Sequence, residues 1–358
     1  MENQYYLNHS PINVYFKQSI DDFVVTEVPL YEFSGDGEHL VLCVRKKDMS
    51  TWDMLEIISN TTGCKTRDIG YAGLKDKNAM TVQYISMHKS FEEKLSLLNH
   101  PNIKILSTTY HNNKIKIGHL KGNKFFVRFK KVFPNDANKI QNILGDIAKY
   151  GIANYFGFQR FGVEQNNYKL GLEILQGKRK ERNMKLKQMY INAYQSYLFN
   201  EWLSKRIEIS KYISSFTPAE ASSLTGLDIK TVKELQTQPH PFKVLDGELM
   251  SHYPYGKIFI ADDLKSESDK FFARDRVPTG LLVGKKVKLS QRDAAIYEKK
   301  IMDFIPAIDG ARRFAWIFVE DLESNYKEDK KWFEMSFFLP KGSYATEVIR
   351  EILHQNLI

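Results

Sequence analysis

Cysteine is nearly absent from this 358-residue chain, Cys43 and Cys64 being the only two. Too few and too far apart for a zinc knuckle or a disulfide framework, they fit a reducing compartment and a packing role. No His-Glu-x-x-His, Cys-x-x-Cys or Gly-x-Ser-x-Gly occurs, which removes the commonest zinc, thiol and serine hydrolase signatures. Gly280-Leu281-Leu282-Val283-Gly284-Lys285-Lys286 looks like a phosphate loop, yet it is one residue short between its glycines and has no Ser or Thr after the lysine. No apolar stretch approaches the ~18 residues of a membrane span, and Met1-Glu2-Asn3-Gln4 carries no basic segment leading into an apolar run. A soluble, cytoplasmic protein is expected. Acid is also in deficit: 43 Asp and Glu against 52 Lys and Arg leave a formal charge of +9. That balance favours polyanionic partners, nucleic acid first among them, although a surplus of this size also occurs in proteins that touch none.

What the chain does have is apolar and aromatic mass. Hydrophobic residues make up 42% and aromatics 13%, with 23 Phe and 19 Tyr, the composition of a globular protein with a sizeable core. At ~150 residues per domain the length suggests two domains. Residues 12–16, 23–28 and 39–45 alternate as strands, and Ser50 or Thr51 caps a helix that ends by Gly63. Further strands are expected at 82–87, 103–110 and 124–131, with a helix from Pro134 to about Lys149. Residues 165–210 read as long helices. Val277-Pro278-Thr279-Gly280 reads as a turn, and a helix is expected from about Gln291 to Phe304. Strands at 315–319 and 332–339 precede a last helix with Tyr344, Val348, Ile349, Ile352 and Leu353 on one face, suited to docking on a sheet.

Two stretches carry chemistry. Ala72-Gly73-Leu74-Lys75-Asp76-Lys77 sets one acid between two lysines, ahead of an alternating segment at 82–87. Two adjacent cations favour the ionised carboxylate, and an ionised carboxylate acts as nucleophile or base. The same residues also describe a solvated turn. Asn154-Tyr155-Phe156-Gly157-Phe158-Gln159-Arg160-Phe161-Gly162 packs four aromatics, two glycines, two amides and an arginine into nine residues. Such a set can stack on an unpaired base, read its edge and hold a phosphate, or it can be a core cluster at a domain junction. Residues 177–187 hold six cations and one acid, a solvated linker or a phosphate-contacting patch. His39 reads as a structural histidine or a proton carrier.

These stretches carry a resemblance. With Asp22-Phe23-Val24-Val25-Thr26-Glu27, Gly35-Asp36-Gly37-Glu38-His39-Leu40 and Leu339-Pro340-Lys341-Gly342-Ser343-Tyr344-Ala345-Thr346, the chain resembles the TruD family of tRNA pseudouridine synthases over nearly its whole length. The resemblance implies an α+β pseudouridine synthase domain with a mixed, largely antiparallel sheet, assembled from residues 1–160 and 311–358. An inserted α/β TRUD-type domain is then expected over 161–310. It implies conversion of uridine to pseudouridine in tRNA, at uridine 13 in the bacterial family, without cofactor or metal. No obligatory protein partner and no membrane is implied. By matching motif, Asp76 takes the catalytic aspartate's place, while Phe156 and Asn154 line the target uridine. Lys17, Phe23 and Tyr344 fall at other active-site positions, and Arg160 joins them as a substrate contact; the family often has phenylalanine where Tyr344 stands. Two other classes compete: a non-catalytic RNA-binding protein or chaperone, and a carboxylate-dependent glycosidase, against which stands the lack of a second acid in the Asp76 motif.

Overall fold

The computed structural model describes residues 3–16, 19–75, 77, 79–302 and 308–355, and the chain divides into two compact units. One comprises Asn13–Asn142 and Val319–Gly342, the other Met1–Ile12, Ile143–Phe318 and Ser343–Ile358. Residues 143–160 and 311–318 fall in the same unit as the middle segment.

In the first unit a nine-stranded sheet among the described residues runs Glu320–Lys327, Trp332–Pro340, Leu120–Lys130, Phe23–Pro29, Met80–His88, His39–Lys46, Ile103–His111. Tyr15–Phe16 and Gly70–Tyr71 pair off this path. The pairings are antiparallel except that Phe23–Pro29 runs parallel to Met80–His88, with Val24 opposite Met80 and Val25 opposite Thr81. A parallel pair needs a long crossover between Pro29 and Met80, and the chain between them contains the helix Thr51–Thr62. The crossover helix Thr51–Thr62 starts where expected. Ser50 Oγ accepts from Asp53 N at 3.1 Å while the Asp53 carboxylate accepts from Ser50 N at 3.0 Å, and Gly63 closes the helix at φ +77°. Met54, Leu55 and Ile58 bury its inner face against Leu40, Leu42, Val44, Ile85 and Met87. Cys43 and Cys64 are free and buried, which agrees with packing roles.

The second unit is organised by the 32-residue helix Met184–Ser215, joined by Asn167–Leu175. Leu249–His252, Ile258–Ile260, Arg276–Leu282 and Ala311–Phe314 form a four-stranded sheet, and Ile152–Ala153 pairs with Trp316–Ile317. The expected turn at 277–280 lies inside strand Arg276–Leu282 instead. Pro278 sits opposite Met250, and its carbonyl accepts from Ala315 N at 2.8 Å, so the missing N–H does not break the strand. Gly280 is required there because a Cβ would collide with the Trp202 and Phe199 rings. Gly280→Ala should cost about 1–3 kcal/mol, read as a lower denaturant midpoint at unchanged slope. Arg292–Lys299 is the described helix in the 291–304 region.

The last helix, Ala345–Leu353, departs from expectation: all nine of its residues are buried, charged ones included. Arg350 Nε donates to Glu347 at 3.0 Å, Arg350 Nη1 donates to Asn3 O at 2.9 Å, and Glu351 accepts from Tyr6 N and Leu7 N. The N-terminal segment thereby covers the side that amphipathicity assigned to solvent. Nearby, His240 is buried, with Nδ1 accepting from Phe242 N and Nε2 facing Tyr150 O at 2.9 Å. Burial pushes its pKa down to about 3, so it is neutral at ordinary pH. The unfolded chain then binds more protons between about 6.5 and about 3, and stability should fall by ~1.4 kcal/mol per pH unit from this group as pH drops through that window. His240→Phe should flatten that slope in melts recorded against pH.

No described helix is long and apolar enough to cross a membrane.

Candidate active site

In the first unit, the chain leading to Asp76 is gripped at every polar group of Lys75. Thr51 Oγ1 accepts from Lys75 N at 2.9 Å and donates to Gln83 Oε1 at 3.1 Å. Lys46, fully buried, donates from Nζ to Met49 O at 2.7 Å and to Lys75 O at 3.4 Å. The Lys75 ammonium meets Glu27 at 2.7 Å, with side-chain exposures of 7% and 1%. Glu27 in turn accepts from Tyr84 N at 3.3 Å. Asp76 and Lys17 themselves lie outside the described residues. The Lys75 cation thus pairs with Glu27.

Phe23 sits in the same unit's aromatic core, 4% exposed, edge-on to Phe16 at 5.7 Å and stacked on Phe125 at 6.1 Å. His39 begins a central strand opposite His88 and His111, and burial lowers its pKa, in keeping with a structural histidine.

The second unit assembles the remaining residues around Phe156. Asn154 N donates to Ala315 O at 2.9 Å, which carries the Ile152–Ala153 pairing into the nine-residue run. Asn200, on the long helix, then clamps Phe156 with two 2.9 Å bonds, accepting from its N–H and donating to its carbonyl. Phe158–Phe161 closes as a single 3-10 turn. Gly157 is needed because a Cβ there would lie 2.9 Å from Tyr344 Cδ1 and 3.1 Å from Thr346 Oγ1.

Arg313 completes the cluster, and nothing in the sequence reading singled it out. Its Nε donates to Asn154 O at 3.2 Å, and Nη2 donates to that oxygen at 3.1 Å and to Asn154 Oδ1 at 2.8 Å. Its Cζ lies 3.9 Å from the Phe156 ring centre. Arg160 is 5.6 Å from the same centre and donates from Nε to Ser196 Oγ at 3.1 Å, while Tyr344 is tilted at 6.3 Å. Asn154 Nδ2 donates to Phe314 O at 2.9 Å, so both ends of its amide are engaged. Burial pushes the Arg313 guanidinium down to about 10, with the Arg160 charge acting in the same direction, and it remains protonated at neutral pH.

The structure therefore brings together Asn154, Phe156, Arg160 and Tyr344 within one unit and adds Arg313 and Asn200. The available signal for Arg313 was the Arg312-Arg313 pair just before a buried run. The pair splits in the fold, since Arg312 is buried against Glu298 at 2.6 Å. Nothing local distinguishes Asn200 from other helix residues. Tyr155, inside the run, is a core residue whose hydroxyl bonds Gln4 O and Ser204, and burial pushes its pKa far up. Among the described residues no group of three or more His, Cys, Asp or Glu is placed to hold a metal ion. The basic run 177–187 follows helix Asn167–Leu175 and ends in the first turn of Met184–Ser215, with its cations exposed apart from the half-buried Lys187.

The antiparallel-dominated α+β fold has a counterpart among solved structures. A Methanosarcina mazei protein provisionally named tRNA pseudouridine synthase D (TruD) matches with a TM-score of 0.73 at 19% identity, over 99% of this chain and 96% of that one. The family model described as tRNA pseudouridine synthase D (TruD) matches residues 1–185, 179–221 and 254–352, and the chain belongs to that family. Among curated relatives, proteins named tRNA pseudouridine synthase D are 55% identical in Nitratiruptor sp. and 51% in Wolinella succinogenes, each over 100% of this chain and 99% of the relative. The relative of that name in Sulfurimonas denitrificans is 49% identical over 100% of both chains.

Proposed function

We propose that this protein isomerises uridine to pseudouridine in tRNA, at uridine 13, with Asp76 as the reacting group and no cofactor. The observation that carries this reading is a full-length likeness to relatives named tRNA pseudouridine synthase D, 55% in the first case. The Lys75 anchoring supports it: Thr51, Lys46 and Glu27 hold the residue that precedes Asp76 in the chain. Asp76 acts on the ribose of an everted nucleotide, by attack on the anomeric carbon or by removal of a sugar proton. The bond from C1′ to N1 breaks, the uracil turns within the site, and C5 bonds to C1′. Composition is unchanged, since the proton lost from C5 is matched by one gained at N1. Phe156, Asn154, Arg160 and Tyr344 form the base-holding side, with Lys17 and Phe23 as further members. In domain terms, 1–160 and 311–358 are the catalytic domain and 161–310 its insertion. The protein works in the cytoplasm with tRNA as partner. Pseudouridine mapping in tRNA from cells with and without the protein tests this: loss confined to position 13 is expected, and an unchanged map contradicts it.

A further inference from the structure

We infer that Lys131, Lys330 and Lys331, at one end of the nine-stranded sheet, hold backbone phosphates of the tRNA beside the nucleotide that reacts. This rests on the function proposed above, which supplies the RNA. Strand register lays the surface out. Tyr15, Lys130 and Trp332 stand in one row across three strands, and Phe16, Phe129 and Phe333 in the next. Successive residues of a strand face opposite sides, and Phe129 and Phe333 are buried, so the row with Lys130 faces outward. One position past the Lys130–Trp332 pair come Lys131 and Lys331, both exposed. Lys131 Nζ lies 4.3 Å from the ring centre of Tyr15, itself 48% exposed, and Lys331 Nζ lies 4.9 Å from that of Phe133, 52% exposed. Lys330, exposed as well, has its Nζ 5.2 Å from the Trp332 ring centre.

The buried acids at this end of the sheet are taken by other cations. Asp22 meets Lys130 at 2.7 Å and Arg128 at 3.4 Å, and Glu334 meets Arg128 at 2.8 Å and Lys327 at 2.6 Å. Among the described residues Lys131, Lys330 and Lys331 enter no ion pair. With Glu328 and Asp329 of the turn counted, these six cations stand against four carboxylates. Like charges facing one another across a strand pair destabilise it. Lys131 and Lys331 also hold left-handed backbone, at φ +55° and +53°, which suits glycine or asparagine better than lysine. The exposed rings carry the lysine stems and keep the ammonium groups above the sheet. An anion lying across them removes the repulsion.

Position identifies the anion. Met80, four residues after Asp76 in the chain, pairs with Val24, which pairs on its other side with Phe126. Phe126 precedes Lys130 by four residues on one strand, so Lys131 lies at the end of the sheet where Phe23–Pro29 and Met80–His88 begin. With strands about 4.8 Å apart and a rise of about 3.4 Å per residue, Lys131 is about 20 Å from Met80, the length of about six stacked nucleotides. The RNA that flanks the reacting nucleotide extends that far.

The full chain carrying Lys131→Gln, Lys330→Gln and Lys331→Gln, titrated with unmodified tRNA by filter binding across a salt series, tests this. The plot of log affinity against log salt should be shallower by about 2–3, and affinity should fall at least about 10-fold at ~0.1 M salt. A charge-matched variant, Lys89→Gln with Lys94→Gln and Lys121→Gln, also exposed, should stay within about twofold of wild type in affinity. If the first variant does not fold, judged by circular dichroism, Lys131→Gln alone serves, with a slope shallower by about 0.7–0.9. A wild-type slope and affinity in the folded variant overturns the inference, and so does an equal loss in the charge-matched variant, which would make the effect one of net charge. Wild-type protein that binds tRNA and forms no pseudouridine fails the function proposed above, whereas the salt slopes decide the surface independently of turnover.

Discussion

Asp76→Asn is expected to lower pseudouridine formation about 10⁴-fold or more while tRNA affinity stays within about threefold. The amide matches the carboxylate in size and differs in the property the reaction uses, since it is neither a nucleophile nor a base at neutral pH. Affinity should persist because phosphate contacts from a chain with net charge +9 supply most of the binding free energy. Single-turnover assays at saturating enzyme separate the two quantities. A variant retaining more than about a tenth of the wild-type rate contradicts the role given to Asp76. A non-catalytic RNA-binding protein predicts no activity to lose.

The second large effect belongs to Glu27. Glu27→Ala should cost about 3–5 kcal/mol of unfolding free energy, because it strands the Lys75 ammonium, whose side chain is 7% exposed, without its counter-charge. That is a large share of the ~5–15 kcal/mol typical of a folded domain. Combining Glu27→Leu with Lys75→Met should recover most of the stability, since a buried ion pair replaced by apolar groups of similar volume is often neutral. Activity should not recover with it, because the side-chain anchor one residue before Asp76 is gone. Urea unfolding gives the first quantity and pseudouridine formation the second. An unchanged midpoint in Glu27→Ala, or full activity in the double variant, contradicts the anchoring.

Local signals were legible and long-range ones were not. Ser50, Asp53 and Gly63 announce the crossover helix because capping is decided within a few residues, and the alternation at 23–28 and 39–45 announces strands for the same reason. The aromatic and amide content of the run from Asn154 to Gly162 was likewise visible, while the clamp of Asn200 on Phe156 was not. Arg313 reaches Asn154 across 159 residues, and Lys75 reaches Glu27 across the parallel crossover, so neither pairing has a local trace. The strand through Pro278 and Gly280 looked like a turn because its two exceptional residues answer to tertiary neighbours, Met250 and the Trp202 and Phe199 rings. The terminal helix looked one-sided because Glu347, Arg350 and Glu351 are polar; their burial depends on partners that include Asn3, Tyr6 and Leu7 at the other end of the chain. Polar residues in a pattern mark solvent only when no distant segment satisfies them.

Incubating the purified full chain with an unmodified tRNA transcript, then mapping pseudouridine and assaying free uracil, tests the central claim most directly. The account predicts pseudouridine at position 13 in wild type, none with Asp76→Asn, and no uracil released. Free uracil with an abasic site at that position, or an RNA left unchanged by wild-type protein that binds it, would contradict it.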